Sequence, residues 1–201
     1  MEVLNKIQQV LSSPDKFFES VKKEPLGPAF KYLAVIMLVP TVLMLIFAYA
    51  ATSIFTMIFG PMLMMLGGTQ SVPLLGMLTG ILTTFAIIGV ILWYICGLLG
   101  SFIGSAVLHV FVYLLGGKNG YSNTYKTAAY ATTPSTLIGW IPLIGFIFGL
   151  WSLVLEVKGL KALQGMTTGR AVLAILLPVI IIGAVVGSII AAGMTFGLPT
   201  A

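Results

Sequence analysis

The stretch Tyr32–Gly117, YLAVIMLVPTVLMLIFAYAATSIFTMIFGPMLMMLGGTQSVPLLGMLTGILTTFAIIGVILWYICGLLGSFIGSAVLHVFVYLLGG, decides the fold: its 86 residues include no Asp, Glu, Lys or Arg. A surface of that length in water needs charge for its solvation. A bilayer penalises charge instead, by roughly 2.5–3.5 kcal/mol for an ion at a helix centre. Thr127–Leu155 and Ala171–Ala201 are charge-free as well. The chain is therefore expected to be an all-α, polytopic integral membrane protein. Composition agrees, with 59 % hydrophobic and 7 % charged residues against about 25 % charged in soluble domains.

The ten Lys and Arg fall into three groups. Lys6, Lys16, Lys22, Lys23 and Lys31 precede the first apolar block, Lys118 and Lys126 follow the second, and Lys158, Lys161 and Arg170 flank the last. Short cytoplasmic loops collect such cations. A division that puts all ten on one side has five spans, about 30–51, 74–115, 125–138, 143–163 and 170–193. The second is then unusually long and the third short. The amino terminus is cytoplasmic, the carboxy terminus outside, and the expected location is the cell membrane. Residues 74–115 would measure ~63 Å as one helix against a ~30 Å hydrocarbon core. The alternative is a hairpin at Cys96-Gly97, which would send Lys118 and Lys126 outside. Gly139-Trp140-Ile141-Pro142 supplies a turn between the third and fourth spans. The connector 52–72, with Gly60-Pro61 and Gly67-Gly68 as breakers, is expected in the far interface.

Residues 1–29 form an amphipathic amino-terminal segment carrying four Lys, three Glu and one Asp, with no apolar run of signal-peptide type. Val3, Leu4, Ile7, Val10 and Leu11 recur at helical spacing. Ser13-Pro14-Asp15 marks a second helix start, with Ser as N-cap and Pro at the first position. Two arrangements stay open. In one, the segment lies on anionic headgroups through Lys6, Lys16, Phe17, Phe18, Lys22 and Lys23. In the other, its apolar side packs beneath the membrane domain.

Polar groups inside the apolar blocks are few. Gly76/Gly80, Gly100/Gly104, Gly145/Gly149 and Gly183/Gly187 lie four apart, a spacing that lets helices approach closely. His109 is a membrane-embedded titratable group, either a functional candidate or a neutral imidazole bonded between helices. Glu156 beside Lys158 is explained by a local ion pair. Pro134 removes the helical donor to the carbonyl of Tyr130, and Thr132, Thr133, Ser135 or Thr136 are available to replace it. The alternative is a polar groove beside the long span, approached from the cytoplasm through Tyr125 and Lys126. Cys96 stands alone, so no internal disulfide forms. No metal-spaced cluster, Asp–His relay, nucleotide-binding glycine loop or nucleophile constellation occurs. No enzymatic activity, cofactor, metal or nucleic-acid partner is expected.

The run Gly116-Gly117-Lys-Asn-Gly-Tyr-Ser-Asn-Thr-Tyr125-Lys126-Thr-Ala-Ala-Tyr130-Ala-Thr-Thr-Pro134 resembles the signature of the Yip (Ypt/Rab-interacting protein) domain family. There a glycine pair closes a long span, and a polar segment leads into a short helix bearing a Tyr and then a Pro. Leu11-Ser-Ser-Pro14-Asp-Lys-Phe17-Phe18 is similar to the pre-membrane segment of prokaryotic members. Trp140-Ile-Pro142-Leu-Ile-Gly145 and Gly159-Leu-Lys-Ala-Leu-Gln-Gly165 fit as well. The resemblance implies five spans and a cytoplasmic amino terminus. It makes Gly116, Gly117, Tyr125, Lys126, Tyr130 and Pro134 the candidate partner or ligand region, to which His109 is added as the embedded titratable group. Eukaryotic relatives bind prenylated small GTPases in vesicle traffic. The acidic Asp-Leu-Tyr-Gly-Pro motif that they carry before the first span is absent here. The function implied is a non-enzymatic scaffold or organiser recruiting a partner, or shaping membrane, at the cytoplasmic face. Its partners would be membrane lipids, with a protein or a second copy of the chain. The competing expectation is a small-molecule or lipid transporter or channel using the groove at the third span.

Overall fold

The computed structural model describes residues 3–196, and side chains as far as residue 192. The described residues form eight α-helices and no strand. The short α1 (Val3–Ser12) and α2 (Pro14–Ser20) come first. Pro14 occupies the start of α2 as its fixed φ favours, yet the Ser13 side chain makes no capping bond. Two very long helices follow, α3 (Leu26–Gly67) and α4 (Ser71–Leu114), joined by one 3₁₀ turn at Gly68–Gln70. Then come α5 (Tyr121–Ala131), α6 (Thr133–Ile138), α7 (Ile144–Gln164) and α8 (Thr168–Phe196).

Residues 71–114 are one helix, so no hairpin forms at Gly97. The expected connector at 52–72 is corrected: it stays helical to Gly67, and Gly60-Pro61 does not break it. A proline frees one carbonyl, but in apolar surroundings no water competes for the neighbouring backbone, so the helix resumes. The same holds at Pro40, which also lies inside α3. The chain turns instead at Gly68, whose φ of +61° suits glycine.

By length and composition two stretches qualify as membrane spans: Leu26–Leu114, which contains both α3 and α4, and Thr168–Ala192. In the most apolar 18-residue window of each, only about a fifth is buried within the protein. Their Ile, Leu, Val and Phe side chains therefore face outward, which is the surface that lipid solvates. The helix α7 is long enough at ~32 Å but carries Glu156, Lys158 and Lys161.

The turn between α6 and α7 falls at 139–143. The Ile144 amide donates to the Pro142 carbonyl at 2.8 Å, and Leu143 between them has φ +66° and ψ −53°. That is a γ-turn of the strained hand, imposed on an exposed leucine.

The buried core gathers at one end. It combines Val10, Phe17, Phe18 and Val21 of the amino-terminal segment with Tyr32 and Ile36 of α3, Tyr125 and Tyr130 of α5, and Leu155 and Leu163 of α7. A smaller cluster joins Leu108, Val112, Leu160 and Ala174 across α4, α7 and α8. All ten cations lie at this end, because α3 and α8 begin there and α4 and α7 finish there.

Candidate functional site

The helix α5 organises the candidate region. Lys126 and Tyr130 stand four residues apart, hence on one face of the helix. That face meets the amino-terminal segment. The Lys126 Nζ donates to the carbonyls of Val21 (3.0 Å), Lys22 (3.0 Å) and Glu24 (2.8 Å). These carbonyls lie just past the end of α2, where backbone acceptors lack helical donors and a cation is favoured.

Beside it, the Glu24 carboxylate accepts from Lys6 Nζ at 2.6 Å and from the Tyr130 hydroxyl at 2.7 Å. Lys6 also donates to the Tyr130 oxygen at 2.8 Å and sits 5.1 Å from that ring's centroid. Phe17 meets the Tyr130 ring edge-on, with centroids 4.9 Å apart. Lys6, Lys126 and Tyr130 are all buried. Buried charge is costly unless paired and bonded; here both cations have their acceptors.

Behind Tyr130 the proline expectation is realised. Thr133 Oγ1 donates to the Tyr130 carbonyl at 2.6 Å. Its single proton is thereby committed, so the Tyr32 hydroxyl, 2.7 Å away, is the donor to Thr133. Pro134 is buried at the start of α6.

His109 and the glycine pair belong to a second network. Gln164 Nε2 donates to Thr124 Oγ1 (2.9 Å) and to the Gly120 carbonyl (2.8 Å). Thr124 Oγ1 lies 2.8 Å from His109 Nδ1. Gln164 Oε1 accepts the Asn119 amide at 2.9 Å. The imidazole is therefore bonded between α4 and α5, as the structural alternative anticipated. Gly116 adopts φ +94°, and a Cβ on Gly117 would collide with the Val112 side chain. The glycine pair closes α4 because no other residue fits there.

The structure thus divides the seven candidates. Lys126 and Tyr130 clamp the amino-terminal segment, with Pro134 one turn beyond Tyr130 at the start of α6, whereas His109, Gly116 and Gly117 form the α4–α5–α7 corner. Tyr125 lies between them, its hydroxyl 3.2 Å from Ser101 Oγ and its ring stacked on Phe102 at 4.7 Å. The approach to a groove through Tyr125 and Lys126 is filled, since both are buried. The space beside α5 and α6 is instead an apolar cavity of about 490 Å³ shared with α3 and α4.

The expected headgroup contacts also separate. Lys6, Phe17 and Phe18 are turned into the protein, a correction to their placement on lipid. A glycine at 159 makes the burial possible. A Cβ there would stand 2.7 Å from Thr127 Cγ2 and 2.9 Å from Phe18 Cε1. Lys16, Lys22 and Lys23 remain exposed. Lys158 pairs with Asp15 Oδ2 at 2.7 Å, rather than with its sequence neighbour Glu156.

Glu24, Gln164 and Thr124 were not among the candidates. Glu24 alone had a signal, as an acid among lysines just before a span. Among the described residues no group of His, Cys, Asp or Glu has a metal-binding arrangement.

No curated protein and no solved structure matches this chain. The Yip1 domain matches residues 9–190, a range that reaches from α1 into α8 and holds the His109–Thr124–Gln164 network and all of the clamp except Lys6. The chain belongs to the Yip1 domain family and is a membrane protein whose apolar helices contact lipid.

Proposed function

We propose that this protein is a non-enzymatic membrane scaffold whose folded amino-terminal cap recruits a partner, or shapes the bilayer, at the cytoplasmic face. The observation that carries this is the clamp. Lys126 and the Lys6–Glu24–Tyr130 group hold α1 and α2 as a fixed cap on the helices, with Lys16, Lys22 and Lys23 outward. A tethered cap keeps a basic surface at a set height over anionic headgroups, where each Lys near the surface contributes about 1 kcal/mol. The gathering of all ten cations at one end supports five spans, with that end inside and the carboxy terminus outside. In that arrangement α3, α4, the α5–α6 pair, α7 and α8 each cross once.

Cysteine labelling in intact cells tests the side. In a Cys96→Ser background, Lys23→Cys and Lys118→Cys are expected to label only after permeabilisation, and labelling of either in intact cells overturns the orientation. The role is tested with reconstituted protein on anionic vesicles. No change in vesicle shape, together with no partner recovered in mild detergent, defeats the scaffold assignment.

A further inference from the structure

The apolar cavity has a shape that selects its occupant. Its wall on α3 includes Leu33, Met37, Pro40, Met44 and Phe47, a length of ~21 Å at 1.5 Å per residue. On α4 it is faced by Gly97, Ser101, Gly104 and Ser105, and on the α5–α6 side by Ala128, Thr132 and Thr136. Several of its hydroxyls are turned to backbone carbonyls, so the lining is mostly apolar. Ser101 donates to the Leu98 carbonyl and Thr132 to the Ala129 carbonyl. The floor is closed by buried Leu33 and Ala129, while Phe47, Trp93 and Trp140 at the other end are exposed.

That open end falls at a definite depth. Phe47 stands ~24 Å along α3 from Lys31, and Trp93 ~32 Å along α4 from Leu114. Both distances approach the ~30 Å thickness of a hydrocarbon core measured from the cation-rich end. Trp140 lies at the same level, 6.2 Å from the Phe47 ring. Tryptophans concentrate at membrane interfaces. The mouth therefore opens near the far interface, and the slot runs back toward the membrane interior.

Water does not fill such a space, because apolar cavities stay dry. A helix from a second copy does not fit: it is ~10–12 Å across, and 21 Å of it needs more than about three times the volume. One hydrocarbon chain does fit, since a leaflet is ~15 Å deep. We propose that the cavity holds one acyl chain of a bilayer glycerophospholipid. Its headgroup rests at the Trp93–Trp140 rim and its methyl end points toward Ala129. Moving a chain from lipid into protein gains nothing from the hydrophobic effect. The gain is dispersion contact along a slot that is otherwise void. The site does not depend on the scaffold role.

The test uses the full-length protein in phosphatidylcholine vesicles containing a trace of phosphatidylcholine with a diazirine on one chain. After photolysis, adducts are mapped by peptide mass spectrometry. Adducts are expected on Met37, Met44 and Thr136, in excess over lipid-facing residues such as Ile88 and Ile103. Gly104 lines the slot, and a Cβ there meets no atom within 4 Å, so Gly104→Leu starts from open space and occupies part of the slot. Adducts inside the slot are expected to fall roughly tenfold in this variant, with outer adducts unchanged. Wild-type adducts confined to outer faces overturn the proposal even where the variant does not fold. Slot adducts that persist in folded Gly104→Leu, or a cross-link between two copies through the slot, overturn it as well.

Discussion

Replacing Glu24 by Gln is the sharpest probe of the clamp. The side chain keeps its shape, but its two acceptor oxygens become one acceptor and one donor pair. Lys6 Nζ and the Tyr130 hydroxyl both donate to that carboxylate, so one of them then faces a donor. Removing one partner of a fully buried ion pair costs about 3–5 kcal/mol. The Lys6 side chain is 7 % exposed and that of Glu24 21 %. Water therefore screens part of the interaction, and the expected loss is about 2–3 kcal/mol. Only the docking of α1 and α2 rests on this group, so the loss appears as local opening. Amide hydrogen exchange over residues 3–20 in detergent or nanodiscs should speed up roughly 30- to 140-fold, with α7 unaffected.

Lys6→Met leaves a carboxylate that still accepts from Tyr130, and it should open the cap as well. The double variant removes both charges, and its loss should fall short of the sum by at least ~0.5 kcal/mol. Asp15→Asn is the control. The exposed Lys158–Asp15 pair should contribute at most about 1 kcal/mol. Strict additivity of the two clamp substitutions, or exchange in Glu24→Gln equal to wild type, would refute the energetic role given to this pair.

Gly159→Val should lower the melting temperature and expose α2 to protease. Its Cβ meets Thr127 and Phe18 below 3.0 Å, and overpacking of this kind costs ~1–3 kcal/mol. Thr133→Val removes the donor to the Tyr130 carbonyl and the acceptor for Tyr32. A loss of about 1–3 kcal/mol in thermal unfolding is expected, with Thr133→Ser close to wild type. Leu143→Gly relieves the γ-turn, and should raise the melting temperature by an amount equivalent to on the order of 1 kcal/mol. A spin label on Met65→Cys, at a site 91 % exposed, should be reached by oxygen and not by a water-soluble relaxant.

What the sequence disclosed was governed by solvation. Charge-free blocks, the cation groups and the glycine-proline turn at 139–143 depend on the transfer of residues between water and lipid, which local composition measures. The Tyr130–Thr133–Pro134 arrangement was legible for a related reason: a missing helical donor must be replaced nearby. Lys6 and Lys126 were misleading because a lysine on an amphipathic helix looks the same whether it snorkels or is buried. The difference lies in acceptors far along the chain. Lys6 is 124 residues from Tyr130, and Lys126 is 102 from Glu24. Gln164 and Thr124 gave no signal at all, since single amides and hydroxyls are common at helix ends. The length of α3 was missed because Gly-Pro breaks helices where water can take up the freed groups.

The long hairpin constrains how the whole protein can sit. At 42 and 44 residues, α3 and α4 measure ~63 and ~66 Å, twice the ~30 Å core. Beyond Phe47 and Trp93 they pack against each other and the 3₁₀ turn, and most of their side chains there are exposed. Exposed there are Ile54, Met57, Ile58, Met62, Met65, Leu66 and Phe85. Each would forfeit up to about 1.5–3 kcal/mol if held in water rather than in an apolar medium, so together they rival the ~5–15 kcal/mol that separates folded from unfolded domains. The hairpin therefore does not stand in water. Its Thr52, Thr56, Thr79 and Thr83 face one another across the α3–α4 seam, and Thr56, Thr79 and Thr83 donate to carbonyls one turn back in their own helices, which leaves the outer faces largely apolar. Such a surface is stable lying in the interface or against a second copy of itself. The polar clamp fixes one end of the bundle, and an apolar environment fixes the other.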